Sequence, residues 1–258
     1  MLSKTQIKHL TSLRQKKYRE ENAQFIAEGS KTVTDLLESN FNVLSIYAMP
    51  GWIKENDALL QNHNGGIFPV TEGELSRISN LTTPNQVLAQ IEIHNHKLDP
   101  AKLEHELVLV LDDISDPGNL GTIIRIADWF GINYIICSEF SVDVYNPKVI
   151  QATMGSVSRV NVHYAFLGGF LKELPFKPKV YGTMLEGENI YKTDLTPEGF
   201  IIIGNEARGI SNDLQQHITH RLHIPAYKEG KIDQGTAESL NASVAAALVC
   251  GEFRRRML

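Results

Sequence analysis

From residue 107 onward the chain repeats one device, a short apolar run rich in β-branched residues followed by a stretch with helical spacing. The runs are "LVLVLD", "YIICS", "VNVHY", "KVYGTM", "FIIIG" and "RLHIP". A strand that is apolar at nearly every position needs cover on both faces, and strands separated by helices run parallel. The second part of the chain is therefore expected to be an α/β domain built on a parallel sheet. Ligands bind such sheets beyond the carboxyl ends of the strands. That directs attention to the loops after residues 112, 203 and 224.

The first part also alternates. A helix is expected over roughly 3–19, with Ile7, Leu10 and Leu13 on one side. "QFIAEG" reads as a strand, and Ser30 as the cap of a helix carrying Val33, Leu36 and Leu37. "VLSIYAM" is a further apolar run, with a helix after Pro50. Thr71 and Glu74 have capping-box spacing, and "NQVLAQIEI" alternates like a half-buried strand. This small α/β unit ends near residue 93. Residues 94–106 are polar, contain a proline and lack periodicity, which marks a linker. The expected domains are thus 1–93 and 107–258, and 258 residues at 42% hydrophobic suffice for two cores.

Cys137 and Cys250 lack CxxC spacing and lie in apolar contexts, as buried reduced thiols of a cytoplasmic protein do. No stretch approaches 18 apolar residues, so no membrane span is expected. The formal net charge of −5 gives no global reason for a polyanion partner, but residues 1–31 hold seven Lys or Arg against three Glu. Lys4, Lys8, Arg14, Lys16, Lys17 and Arg19 are candidate RNA contacts. The terminal "EFRRRML" is a second basic stretch.

The first of the three loops reads "DDISDPGNLGTIIRIADWFG". Pro117-Gly118 is a turn, Asn119 is placed to cap the helix that follows, and Arg125 is the only basic side chain there. The loop has no GxGxxG fingerprint and no P-loop lysine, which speaks against a nicotinamide dehydrogenase or a nucleotide phosphate site. In "FIIIGNEARGIS" Gly204 ends the strand and Gly209 permits a second tight turn. The Glu206 carboxylate between them suits a cation, a ribose hydroxyl or an arginine. After "HIP", Ser239 and Asn241 are expected in the first turn of a helix with Leu240, Val244, Ala247, Leu248 and Gly251 on one stripe. Its small residues permit close packing on another surface. His217, His220 and His223 are too close in sequence to surround an ion, so no metal site is expected.

Taken together and in order, "NLGTIIR" (119–125), "GNEARGIS" (204–211) and "IP…ESLNASVAAAL" (224–248) resemble the SpoU/TrmH family of RNA ribose 2′-O-methyltransferases. The N-terminal unit looks like the L30e-like substrate-binding domain of many members. The resemblance implies a deep trefoil knot in the C-terminal domain, a rarity that sequence physics alone would not choose. It implies S-adenosylmethionine as cofactor, RNA as substrate with ribosomal RNA favoured over transfer RNA, and a homodimer. It implies Arg125 at the 2′-hydroxyl, with Asn119, Glu206, Ser239 and Asn241 completing the catalytic site. Thr183, Met184, Leu185, Gly204, Ile224 and Leu240 are implied around the cofactor. Ala207 stands where many members have glycine, and the loop 226–237 is longer than usual, with Lys228, Glu229, Lys231 and Asp233 expected to adjust cofactor cover or RNA contact. A non-catalytic RNA-binding protein on the same scaffold is the alternative, but binding alone does not require Arg125, Glu206 and Asn241 together.

Overall fold

The computed structural model describes residues 1–93, 97–226 and 239–257. Lys228, Glu229, Lys231 and Asp233 lie outside the described residues. In chain order the elements are α1 (Lys4–Ser12), α2 (Lys16–Asn22), β1 (Gln24–Glu28), α3 (Ser30–Leu37), β2 (Val43–Ala48), α4 (Pro50–Glu55), α5 (Asp57–Leu60), β3 (Gly66–Pro69), α6 (Glu72–Ile78) and β4 (Val87–Glu92). They continue with β5 (Leu107–Leu111), α7 (Pro117–Trp129), β6 (Tyr134–Ser138), α8 (Pro147–Thr153), β7 (Asn161–Ala165), α9 (Leu167–Lys172), β8 (Val180–Asn189), β9 (Gly199–Ile203), α10 (Asn212–Gln215), β10 (His220–His223) and α11 (Ala242–Arg255). Among the described residues no helix is long and apolar enough to cross a membrane.

The chain divides into two units, one of Met1–His96 with Asp143–Arg159, the other of Lys97–Val142 with Val160–Leu258. The break at 96/97 falls within the polar 94–106 stretch. Residues 143–159 come from the β6–β7 crossover yet belong to the first unit, and no local signal in the sequence announces this.

The first unit is built on a sheet of order β1-β4-β2-β3. β4 pairs antiparallel with both β1 and β2, while β2 and β3 are parallel. As an interior strand β4 is buried at every position but the last, so its sequence alternation does not mark a half-buried strand. Thr71 caps α6 through a complete capping box with Glu74. Ser30 is the first helical residue of α3, and Gly29 occupies the cap position at φ +97°.

The single helix expected over 3–19 is two helices. The break lets Leu10 and Leu13 both be fully buried while Lys16 and Lys17 stay exposed. Arg19 makes the break possible. Its Nη1 donates to the Leu13 and Arg14 carbonyls at 3.0 and 2.9 Å, and its Nε and Nη2 donate to Asp143 Oδ2 at 3.0 and 2.5 Å. With 2% exposure, Arg19 is a structural residue, which corrects its place among the RNA contacts. A guanidinium spent on two carbonyls and a carboxylate has nothing left for a phosphate.

The second unit holds a six-stranded sheet of order β10-β8-β9-β5-β6-β7, parallel at every pairing. β5 and β9 are wholly buried, as continuous apolarity requires. β7, at an edge, is only partly covered. β8 pairs with β10 at Tyr181 and Gly182 and again at Glu188 and Asn189, so residues 183–187 bow out of the sheet near its carboxyl edge.

The final helix does not continue outward from edge strand β10. α11 packs on α7, which follows the interior strand β5. Its buried side is Ala242, Ser243, Ala246, Val249, Cys250 and Phe253. The expected stripe of Leu240, Val244 and Leu248 faces outward instead, at 45%, 47% and 41% exposure. Small side chains let two helices approach closely, and the buried side combines them with Val249 and Phe253 while leaving Val244 and Leu248 outside.

The terminal arginines lock this helix in place. Arg254 donates to the Phe130 and Gly131 carbonyls, and Arg256 to those of Thr193 and Ile190. The buried Glu252 carboxylate takes Arg255 Nη2 at 2.8 Å and Nε at 2.9 Å, and Arg256 Nε at 3.0 Å. These bonds, Arg255 first, hold Glu252 down to about 2 from the ordinary 4.5. Burial raises the Cys250 thiol to about 12 and pushes Cys137 higher still, so neither is a nucleophile.

Two outcomes are expected. Arg19→Ala leaves Asp143 unpaired and lowers stability in urea by about 3 kcal/mol. Lys16→Ala or Lys17→Ala, whose partners Glu20 and Glu21 lie 3.7 Å away in solvent, changes it by less than about 0.5 kcal/mol. Glu252 has a folded pKa below its unfolded one, so its stabilisation is complete above pH 4.5 and fades as pH falls toward about 2. Glu252→Gln should therefore melt lower than the parent at neutral pH, with the gap closing on acidification.

Candidate active site

β9 ends in a loop that only glycine permits. A Cβ on Gly204 would lie 2.4 Å from the Gly209 carbonyl carbon and 2.5 Å from the Ile210 nitrogen. Gly209 itself sits at φ +68°. Asn205 and Gly209 close the loop with reciprocal backbone bonds of 3.1 and 2.8 Å. The Asn205 side chain then fills it. Its Oδ1 accepts from the Ala207 and Arg208 amides at 3.0 and 3.2 Å, and its Nδ2 donates to the Asp113 carbonyl at 2.9 Å. Asn205 thus shapes the loop and ties β9 to β5.

Arg208 makes a second tie, Nη2 to Asp113 Oδ2 at 3.1 Å. Asp113 holds a left-handed φ of +56°, a conformation that aspartate tolerates better than most residues. Its amide donates to Ser138 Oγ at 2.9 Å, and that hydroxyl donates back to Asp113 Oδ1 at 2.8 Å. Buried Asp112 accepts the Ser211 amide at 2.7 Å. Each carboxylate that follows β5 is therefore used to hold the neighbouring loops.

Glu206 stands at the tip of the loop so fixed. Its Oε1 accepts a short hydrogen bond from Asn119 Nδ2. Asn119 Oδ1 in turn accepts from Asn241 Nδ2 at 2.9 Å. Asn241 Oδ1 takes the Ser243 amide at 3.0 Å, the Ser243 hydroxyl at 2.6 Å and the Val244 amide at 3.3 Å. Every donor in this chain points toward the carboxylate, and aligned bonds of this kind polarise one another. It begins at the N-terminus of α11, where the helix dipole favours negative charge.

Asn241 both caps α11 and joins this relay. Asn119 does not cap α7, because Asp116 takes that place, accepting the Asn119 amide at 2.8 Å. The side chain of Asn119 is thereby free to bridge Glu206 and Asn241. Ser239 precedes α11 and is exposed, outside its first turn.

Arg125 lies six residues beyond Asn119 on α7, about 9 Å along the axis. It shares the exposed side with Thr122 and Trp129. Among the described residues its guanidinium makes no hydrogen bond or ion pair, and it does not join the relay.

Thr183, Met184 and Leu185 occupy the bowed part of β8. Thr183 Oγ1 donates to the Ile202 carbonyl, Met184 packs on the sheet core, and Leu185 is 71% exposed. Ile224 follows β10, and Leu240 precedes α11. Among the described residues no group of three His, Cys, Asp or Glu could hold a metal ion, His217, His220 and His223 included.

Asp112, Asp113, Asp116, Ser138 and Ser141 were not singled out from the sequence. The tandem carboxylates of "LDDISD" were a signal for the three aspartates, and nothing comparable marks the two serines.

Comparison with known proteins shows what the chain is similar to. Residues 106–251 match the SpoU rRNA Methylase family, and residues 4–89 match the MRM3-like substrate binding domain. The 23S rRNA (guanosine(2553)-2'-O)-methyltransferase RlmP of Bacillus subtilis is 31% identical over 252 residues, covering 96% of this chain and 95% of the relative. A solved structure of a TrmH-family protein from Porphyromonas gingivalis has a TM-score of 0.83 at 34% identity, covering 99% of each chain. An AdoMet-bound rRNA methyltransferase from Sinorhizobium meliloti has a TM-score of 0.84 at 28% identity, covering 100% of this chain and 98% of that one.

Removing the Asn205 side chain should release the loop. Asn205→Ala is expected to speed hydrogen exchange at the Ala207 and Arg208 amides at least tenfold, the loss of about 1.4 kcal/mol of hydrogen bonding. Glu206→Gln should leave those amides protected.

Proposed function

This chain belongs to the SpoU rRNA methylase family, and on that footing we propose that it transfers a methyl group from S-adenosylmethionine to a ribose 2′-hydroxyl of RNA. Ribosomal RNA is the favoured substrate, the cytoplasm the expected location and a homodimer the expected assembly. The observation that carries this reading is the relay from Asn241 through Asn119 to Glu206, set at the carboxyl edge of a parallel sheet near an uncommitted arginine.

When bound, S-adenosylmethionine supplies a methyl group already activated by a positive sulfur. The residues at hand suit such a cofactor. Exposed Leu185 and Leu240, and the main chain at Gly204 and Ile224, offer apolar surface and backbone polar groups to an adenosine. Thr183 and Met184 support the bowed segment that presents Leu185.

The protein's own task is to hold a hydroxyl in line and to help it lose its proton. Arg125 is permanently charged and cannot serve as base. It grips the phosphate beside the target ribose and stabilises negative charge growing on the 2′-oxygen. Glu206, fixed by Asn119 and Asn241, orients the nucleotide or a partner's arginine, and Ser239 adds a hydroxyl to the floor of the site.

Exposed Lys4, Lys8, Arg14, Lys16 and Lys17 give a chain of negative net charge a basic surface for RNA. Trp129, Val244 and Leu248, exposed on the paired helices α7 and α11, support burial against a second copy. The return of α11 from edge strand to interior supports the knotted path.

Arg125→Ala should reduce methylation of RNA by at least 100-fold, removal of about 2.7 kcal/mol of transition-state stabilisation. Its calorimetric affinity for S-adenosylhomocysteine should stay within twofold of the parent. Parallel loss of both would contradict the role assigned to Arg125.

A further inference from the structure

Two phenyl rings of the second unit are left in solvent, Phe140 at 82% and Phe166 at 66% exposure. Phenylalanine is among the residues most often buried, and an exposed ring forgoes the hydrophobic stabilisation that burial would give. Neither belongs to the α7 and α11 surfaces described above. Phe166 directly follows the carboxyl end of β7, and Phe140 comes two residues after the carboxyl end of β6. β6 ends at Ser138 and β7 at Ala165, and these two residues are register partners. The rings are therefore rooted side by side on the same sheet edge as Asn119 and Glu206. β7 is two strands from β5, about 10 Å away.

Both rings stand on fixed backbone. The turn bearing Phe140 is closed by the Ser141 amide on the Ser138 carbonyl at 3.1 Å, and the Ser138 and Ser141 hydroxyls meet at 3.0 Å. Ser138 also holds Asp113, which holds Arg208, so this turn belongs to the framework that positions Glu206. Phe166 is the residue before α9, and its carbonyl accepts the Phe170 amide at 2.9 Å. Its ring lies against Gly169, where a Cβ would come within 2.9 Å. The glycine makes room for the ring to lie flat there, and most of its surface stays open.

We propose that Phe140 and Phe166 form a stacking platform for unpaired RNA bases that flank the methylated nucleotide. The inference rests on the RNA methyltransferase reading and adds to it the part of the substrate this edge recognises. Bases stack on aromatic side chains with little regard to sequence, because every base has a π-face. Exposed Glu139 beside Phe140 repels phosphate, so the groups that meet this edge are bases. Continuity with the catalytic edge favours a strand of the substrate over a second copy of the chain.

The test uses the full chain, isotopically labelled S-adenosylmethionine and total RNA from a strain lacking this protein. Phe140→Ala with Phe166→Ala is expected to raise KM for RNA at least tenfold and to leave S-adenosylhomocysteine affinity and oligomeric state unchanged. Phe→Trp at both positions should keep the parental KM, and Phe→Leu should not. An active double alanine variant with parental KM overturns the platform alone, as does rescue by leucine equal to that by tryptophan. A changed oligomeric state assigns the rings to a second copy and also overturns it. A parent that methylates no RNA overturns the methyltransferase reading and the platform with it.

Discussion

The amide relay from Asn241 through Asn119 to Glu206 joins groups 122 and 87 residues apart in the chain. A carboxylate at a sheet edge could adopt many rotamers in water. Here donors aligned from a helix N-terminus choose one. That choice requires α7, α11 and the β9 loop each to be held in place, and much of the polar chemistry of the second unit serves that end.

The means differ at each point. α11 is held at its far end by Glu252 and the terminal arginines, and along its length by alanines seated on α7. The β9 loop is held by Asn205 from within and by Asp112 and Asp113 from outside. α7 is capped by Asp116, which takes the Asn119 backbone amide and leaves the Asn119 side chain available for the relay. None of these anchors needs to touch a substrate. They fix the framework, and Arg125, without a partner of its own among the described residues, remains available to meet one.

Several of these features could be read from the sequence because a single physical rule applied. Continuous apolarity in "LVLVL" and "FIII" admits only a strand covered on both faces, and both are wholly buried. Thr71 with Glu74 admits only a capping box. That Asn119, Glu206 and Asn241 share a site was implied by the family resemblance, not by any local rule. Other features turned on tertiary competition. Asp116 and Asn119 are both good caps three residues apart, and local chemistry does not choose between them. In α11 large apolar residues stand on both sides of the helix, and tertiary packing buried Val249 and Phe253 while leaving Val244 and Leu248 outside. Arg19 read as a surface charge because its partner Asp143 lies 124 residues away. The left-handed backbone of Asp113 left no mark on a sequence in which glycine would have announced it.

The central claim is that this edge of the sheet delivers a methyl group to a sugar oxygen. The most direct measurement is nucleoside mass spectrometry of RNA from a deletion strain after incubation with the purified protein and S-adenosylmethionine carrying a heavy methyl group. The expected result is label in a 2′-O-methylated nucleoside. Label on a base, or no label in any nucleoside, would contradict it.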